Sequence, residues 1–214
     1  MMKQLKDTTL KRAPRRIGRR PRGTRPSVAR TLLWLFVLNL GVAFGAGLYE
    51  ARIVAPDWLS VTPDGEPVWD AAAAREANTG LRFWVYVTTV PLTLLTVAGL
   101  VAVWRTERAV RGWWLAALGA ALVDRAMTLT YFIPTMVRLT SETMAPSEAA
   151  RTAIQWMSLN NVRHLVTAVA LLAALKAFAV YHEERGRATV HGGQFRARRS
   201  LGSTPQSMLD RAQG

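Results

Sequence analysis

Cysteine is absent from this 214-residue chain, and that absence alone removes several chemistries. No disulfide framework, thiolate zinc site, iron–sulfur cluster or cysteine nucleophile can be built. Histidine is scarce, with three in the whole chain. A haem would need a second axial candidate at matching depth, and the apolar segments offer none. The Walker A, nucleotide-binding Gly-rich and nucleophile-elbow signatures are missing too. Any chemistry must rest on Asp, Glu, Arg, Tyr, Trp, Asn, Thr and His, and neither a metal nor a cofactor is expected.

Acidic residues are also few: 14 Asp+Glu stand against 28 Lys+Arg, a net charge of +14. The excess is unevenly placed. Residues 1–30 carry 11 Lys/Arg and one acid, and residues 182–214 carry six Arg and three acids. Those ends hold +10 and +3, which leaves +1 for residues 31–181. A nearly neutral apolar middle between basic ends is a membrane-protein pattern.

The basic, proline-containing segment 1–30 has too little apolar surface to order itself, and disorder is expected over 1–28 and, in the tail 182–214, from about 187, with short helical stretches allowed beside the membrane. A nucleic-acid-binding arm is the competing reading. It is set aside because an apolar span follows at once, so nucleic acid is not an expected partner. The basic tails instead read as positive-inside anchors touching anionic lipid headgroups. The RRIGRR stretch resembles a twin-arginine signal, but the apolar segment after it is long and no A-x-A site follows.

Four stretches have the length and apolarity to cross a bilayer core: Thr31–Tyr49, Phe83–Trp104, Trp113–Ile133 and Leu165–Tyr181, the last in a helix starting near Ala153. Trp84, Trp104, Trp113 and Trp114 fall at span ends, the headgroup level. The expected fold is therefore all-α: an integral membrane four-helix bundle over 31–181 with disordered basic tails. The 105–112 link has three Arg, whereas the 50–82 loop has three basic residues against six acids. Both termini and that link are thus expected in the cytoplasm, and loops 50–82 and 138–159 outside a cytoplasmic (inner) membrane. Lys176 then snorkels at the cytoplasmic end of the fourth span. Loop 50–82 should begin irregularly and then form a short helix over 70–78 with Asp70 as N-cap.

The spans are not apolar all round. Asn39, Ala43, Ala46 and Glu50 share one helical face, as do Arg82, Tyr86, Thr89, Thr93 and Thr96. Asp124, Thr128, Tyr131, Thr135 and Arg138 share another, and Trp156, Asn160, Arg163/His164 and Thr167 a fourth. Lipid cannot satisfy such groups, so the four stripes should turn toward a common interior. Asp124 lies about 16 Å into its span, near mid-bilayer. The halves nearer the tails, such as Val97–Val103 and Trp114–Leu122, are apolar. The polar interior therefore reads as a blind cup, open outward and floored at Asp124. Its expected lining is Asn39, Glu50, Tyr86, Thr93, Arg125, Tyr131, Trp156 and Asn160, with Asp124, His164 and Arg163 as candidate catalytic groups. Several of these have simpler readings: span threonines bond their own helix carbonyls, Pro91 and Pro134 kink helices, and Gly41, Gly45 and Gly47 serve packing. Adjacent helical residues do not face one another, so Asp124 and Arg125 should each find a partner elsewhere, with Arg125 off the stripe.

Two stretches carry a resemblance. Tyr131–Leu139, centred on Pro134, and Trp156-Met157-Ser158-Leu159-Asn160-Asn161-Val162-Arg163 resemble the proline-centred exit and Trp…Asn-x-Arg entry of the small four-helix membrane proteins grouped with the anthrone oxygenases. The span spacing fits over about residues 31–181. The chain departs from the family at Thr135 and Met136, where Asn often follows the proline. The resemblance implies a site that binds a flat aromatic, removes a proton and lets the carbanion react with oxygen. Asp124 or His164 would be the base. Arg163, Arg125 or Asn160 would hold the oxyanion. Tyr131, Tyr86 and Trp156 would sandwich the ring. The leading expectation is a pocket for a small apolar or aromatic molecule, with cofactor-free oxidation of it as the enzymatic form. A non-enzymatic membrane scaffold or partner-binding subunit is the alternative, and a transporter, lacking an inner polar path, ranks third.

Overall fold

The computed structural model describes residues 28–141 and 143–201, with side chains as far as Glu183. Four helical stretches are long and apolar enough to cross a membrane: Val28–Trp58, Gly80–Arg105, Arg108–Thr140 and Pro146–Glu183. The chain is read accordingly as a multi-pass membrane protein. The first span is α1 (Val28–Tyr49) and the second ends in α3 (Val90–Ala102). The third joins α4 (Arg108–Met127) to α5 (Ile133–Thr140), and the fourth is α6 (Pro146–Leu201).

The tail expected from position 182 is helical in its first part, because the α6 backbone runs on to Leu201. Segments 1–27 and 202–214, where disorder was expected, lie outside the described residues.

Three of the four spans contain a π-helical segment. A π-helical turn over Glu50–Val54 follows α1, a longer one over Gly80–Thr89 precedes α3, and a third over Thr128–Phe132 separates α4 from α5. A π turn bonds i to i+5, is wider than an α turn, and so advances the inward face by more residues. The second span therefore buries Trp84-side positions, Thr88, Leu92 and Thr96, and Tyr86 is turned outward with 71% exposure. In the third span Phe132 takes the buried place expected for Tyr131.

Pro91 sits at the start of α3 and has no N–H for the carbonyl of Val87, four residues back. Asn39 Nδ2 donates to that carbonyl at 2.9 Å. Asn39 thus bridges the first and second spans rather than lining a cup. Thr93, Thr96 and Thr88 donate to carbonyls of their own helix at 2.6, 2.7 and 2.9 Å.

Loop 50–82 is more ordered than expected. After a 3-10 turn, β1 (Leu59–Val61) pairs antiparallel with β2 (Pro67–Trp69), with Leu59 opposite Trp69. Gly65 closes the hairpin at φ 86, a conformation that favours glycine. Next comes α2 (Ala71–Ala77), whose N-cap Asp70 accepts from Ala73 N at 2.8 Å. This segment is tied to the third span: Trp69 Nε1 donates to Leu139 O at 3.0 Å, and Arg75 Nη1 to Thr140 O at 2.8 Å.

Two apolar cores result. One fills the half of the bundle near the 105–112 link, with Leu33, Phe36, Leu92, Trp114, Leu118 and Ala174. The other packs Trp58, Trp69, Ala74, Phe132, Leu139 and Trp156 beneath the hairpin. The first span packs on the second and fourth, and the third on the fourth, whereas the second and third touch sparingly.

Candidate functional site: a cup between two cores

Between the two cores lies a cavity of about 530 Å³. Its floor is Asp124, 3% exposed, at the end of α4. Asp124 Oδ1 accepts from Thr167 Oγ1 at 3.2 Å, and Oδ2 accepts from Arg125 Nε at 3.0 Å and from its Nη2. The expectation that Arg125 would break from the stripe, and that neighbours along a helix cannot pair, is overturned here. The two Cβ atoms do diverge, but the long arginine side chain curls back to reach the carboxylate. A buried cation has no cheaper partner, because leaving either charge alone in hydrocarbon costs several kcal/mol or more.

Above the floor stand Glu50, Arg163 and His164. Glu50 is buried, and its Oε1 accepts from Thr79 Oγ1 at 2.7 Å and Trp84 Nε1 at 2.8 Å. The Arg163 guanidinium lies 4.7 Å from the centre of the Phe132 ring and 5.7 Å from that of Trp84. It makes no hydrogen bond or ion pair with the described residues, although Asp124, Glu50 and Arg125 are within electrostatic reach. His164 packs on Gly47 so closely that a Cβ there would lie 2.5 Å from the imidazole. Its Nε2 is buried without a partner among the described residues, as is Arg125 Nη1. Trp84, Phe132 and Trp156 form an aromatic wall, with Trp156 Nε1 held by Phe132 O at 3.2 Å. On the side where a mouth was expected from the sequence, the cavity is lined by Ala74, Arg75 and Asn78 of the α2 region.

The cup thus gathers Glu50, Asp124, Arg125, Trp156, Arg163 and His164 from the expected lining. It does not gather the others. Asn39 is spent on Val87, Thr93 on its own helix, Tyr86 faces out of the bundle, and Tyr131 is half-buried behind Phe132. Asn160, 1% exposed, lines a second cavity of about 510 Å³ between α1 and α6 with Phe44 and Leu48. Both atoms of its amide lack a protein partner among the described residues. Arg138, from the stripe expected with Asp124 and Tyr131, is exposed and reaches Glu148 at 3.6 Å.

Sequence reasoning missed Trp84, Thr79, Thr88 and Phe132, whereas Thr128 and Thr167, both expected on inward stripes, line the cavity. Trp84 was read as a headgroup marker, and no composition signal announces a π turn. Of the three glycines read as packing contacts, only Gly47 has a close neighbour, and Gly99, against Leu118, was passed over. Among the described residues there is no cluster of three or more His, Asp or Glu side chains able to hold a metal.

Compared with models of known families, with curated proteins and with solved structures, the chain matches none. What remains of the family resemblance at this level is the four-span helical architecture.

Proposed function

We propose that this membrane protein binds a small, flat, largely apolar molecule in the cup, with its rings against Trp84, Phe132 and Trp156 and an acceptor oxygen on Arg163. The observation that carries this is Arg163, a guanidinium held by aromatic faces beside an empty volume with its N–H donors unspent. Buried donors normally have partners, so a ligand acceptor is the natural complement. The cavity size falls within the usual range for small-molecule sites. Three π turns around one cup fit the same reading, since such turns cluster at functional sites.

The oxidation implied by the anthrone-oxygenase resemblance is the enzymatic form of this proposal. A ring methylene flanked by aromatic rings loses a proton, the carbanion adds O₂ at that carbon, and the hydroperoxide loses water to leave a carbonyl. The balance is CH₂ + O₂ → C=O + H₂O. Asp124 is already engaged by Arg125 and Thr167, which makes His164 Nε2 the better-placed base. Arg163 would hold the oxyanion. In the proposed orientation, both termini are cytoplasmic and the hairpin faces the far side of the inner membrane. Reporter fusions after Gly214 and within 60–70 test it, and a reporter after Gly214 active only outside would refute it.

The binding test uses 1,8-dihydroxyanthraquinone as probe with the full chain in phosphatidylcholine nanodiscs, reading tryptophan quenching. Saturable binding that weakens roughly tenfold or more in Arg163→Gln supports the site, as loss of one charge-assisted hydrogen bond is worth about 1.5–3 kcal/mol. Equal binding by the variant and the wild type would refute it. Oxygen uptake with anthrone, lost in His164→Gln, would establish turnover.

A further inference from the structure

The cup is roofed on the side where an aqueous mouth was expected. Arg75 donates to Thr140 O, and Trp69 to Leu139 O, so α2 and the hairpin are latched onto α5. Among the described residues no comparable latch closes the flank. Of the spans that pack side by side, the second and third make the sparsest contact, and the stretches Gly80–Thr89 and Ile133–Thr140 hardly approach one another. Both nevertheless line the cup, the first through Leu81, Val85 and Thr89, the second through Ile133, Met136 and Val137. Leu81 and Val137 are 58% and 63% exposed, so the rim of this gap is apolar and uncovered by protein.

The depth of the gap identifies the medium it faces. Trp104 marks the headgroup level at the link end of the second span. Thr89 stands about 22 Å along the helix from it and Val85 about 28 Å, at 1.5 Å per residue. Both positions are within a hydrocarbon core of about 30 Å. Leu81, about 35 Å from Trp104 by the same measure, stands at the far headgroup edge, so the gap runs from there down past Val85 and Thr89 into the acyl chains.

We infer that the cup takes its ligand sideways from the bilayer, through a portal between Gly80–Thr89 and Ile133–Thr140, and that the ligand class is therefore uncharged, membrane-dissolved molecules. The inference rests on the cup being a ligand site. It goes further in naming where the ligand resides before binding and in excluding water-soluble anions as substrates. The π turns at Gly80–Thr89 and Thr128–Phe132 widen the two helices that flank the portal.

The test needs no knowledge of the ligand. The natural chain has no cysteine, so Thr128→Cys places a single thiol in the cup, a near-isosteric change at a buried lining position. The full-length protein is reconstituted in phosphatidylcholine vesicles. Labelling is followed with N-cyclohexylmaleimide, which partitions into the bilayer, and with a sulfonated maleimide, which does not. Each rate is divided by that of the same reagent with glutathione. The expected result is an advantage of roughly tenfold or more for the cyclohexyl reagent, because each apolar carbon enriches it in hydrocarbon. Adding Leu81→Trp and Val137→Trp at the rim should slow that reagent, whereas Arg75→Ala in the roof should not speed the sulfonated one. Equal normalised rates would overturn the portal, as would acceleration of the sulfonated reagent by Arg75→Ala. Should the double tryptophan variant fail to fold, the comparison of the two reagents on Thr128→Cys alone still decides. Because the anthraquinone probe is not used, failure here is distinct from failure of the binding site.

Discussion

Removing the Asp124 carboxylate should cost far more than removing it together with Arg125. The two side chains are 4% and 10% exposed and bonded to each other, with Thr167 completing the carboxylate's partners. In Asp124→Ala the guanidinium stays buried without its anion. Breaking a buried pair from one side typically costs about 3–5 kcal/mol. In Asp124→Leu combined with Arg125→Met no charge is left to solvate, and comparable replacements elsewhere are neutral or stabilising. The double variant should therefore recover to within about 1 kcal/mol of the wild type, roughly 2–4 kcal/mol more stable than the single change. Reversible unfolding in mixed detergent–SDS micelles, followed by tryptophan fluorescence, measures the wild type and both variants. If the double variant is as unstable as Asp124→Ala, or if the single change costs under about 1 kcal/mol, the pair is not a desolvated couple and the floor of the cup has been misjudged. Probe binding separates the two roles of the pair. The double variant should fold and still bind 1,8-dihydroxyanthraquinone more weakly if the floor shapes the site.

Gly47→Ala drives a methyl into the His164 imidazole, so it should destabilise by about 1–3 kcal/mol, and Gly41→Ala, with nothing within 4 Å, should be silent in the same unfolding assay. Asn39→Leu should cost about 0.5–1.5 kcal/mol by orphaning the Val87 carbonyl, but much less in a Pro91→Ala background, where the restored N–H satisfies that carbonyl from within the helix. Additive effects of those two changes would refute the bridge. Tyr86→Leu should leave anthraquinone binding unchanged while Trp84→Leu weakens it, which tests the phase of the second span directly.

What could be read from the sequence followed from long-range composition. Four apolar stretches, their tryptophan ends and the polar residues within them locate the spans and most of the cup floor, because lipid permits few alternatives for such residues. Asp70 as an N-cap was legible for a similar reason, a short polar side chain beside an alanine run. The failures are local and share a cause. The stripes were drawn at 3.6 residues per turn, and that period holds for α6, where Trp156, Asn160, His164 and Thr167 are all buried. It fails wherever a π turn intervenes, and Tyr86 and Tyr131 both lie in such turns. The hairpin escaped notice because its strands have three residues each, too short for an alternating pattern, with Pro67 opening the second. The Asp124–Arg125 pair escaped because spacing describes Cβ directions, whereas arginine has enough rotatable bonds to fold back on its neighbour.

The charges of the cup bear on what it can hold. Two acids and three arginines line it; Arg75 is exposed at the roof and donates to Thr140 O, so the inner groups, Glu50 and Asp124 against Arg125 and Arg163, sum to a formal charge of zero before any ligand arrives. One arginine is already committed to Asp124, and Glu50 is stabilised by neutral donors from Thr79 and Trp84. Arg163 remains, facing π clouds that are a weaker complement than a carboxylate. A ligand bringing a full negative charge would have to shed its water in a site whose total is already balanced, a poor exchange at low dielectric. A neutral ligand with a polarisable carbonyl or phenol avoids that cost and still gives Arg163 an acceptor. Negative charge is then best tolerated when it is generated in place, as it would be if His164 removed a proton. On this argument the sideways opening and the balanced charge select the same molecules: those that are neutral in the bilayer and become polar only within the cup.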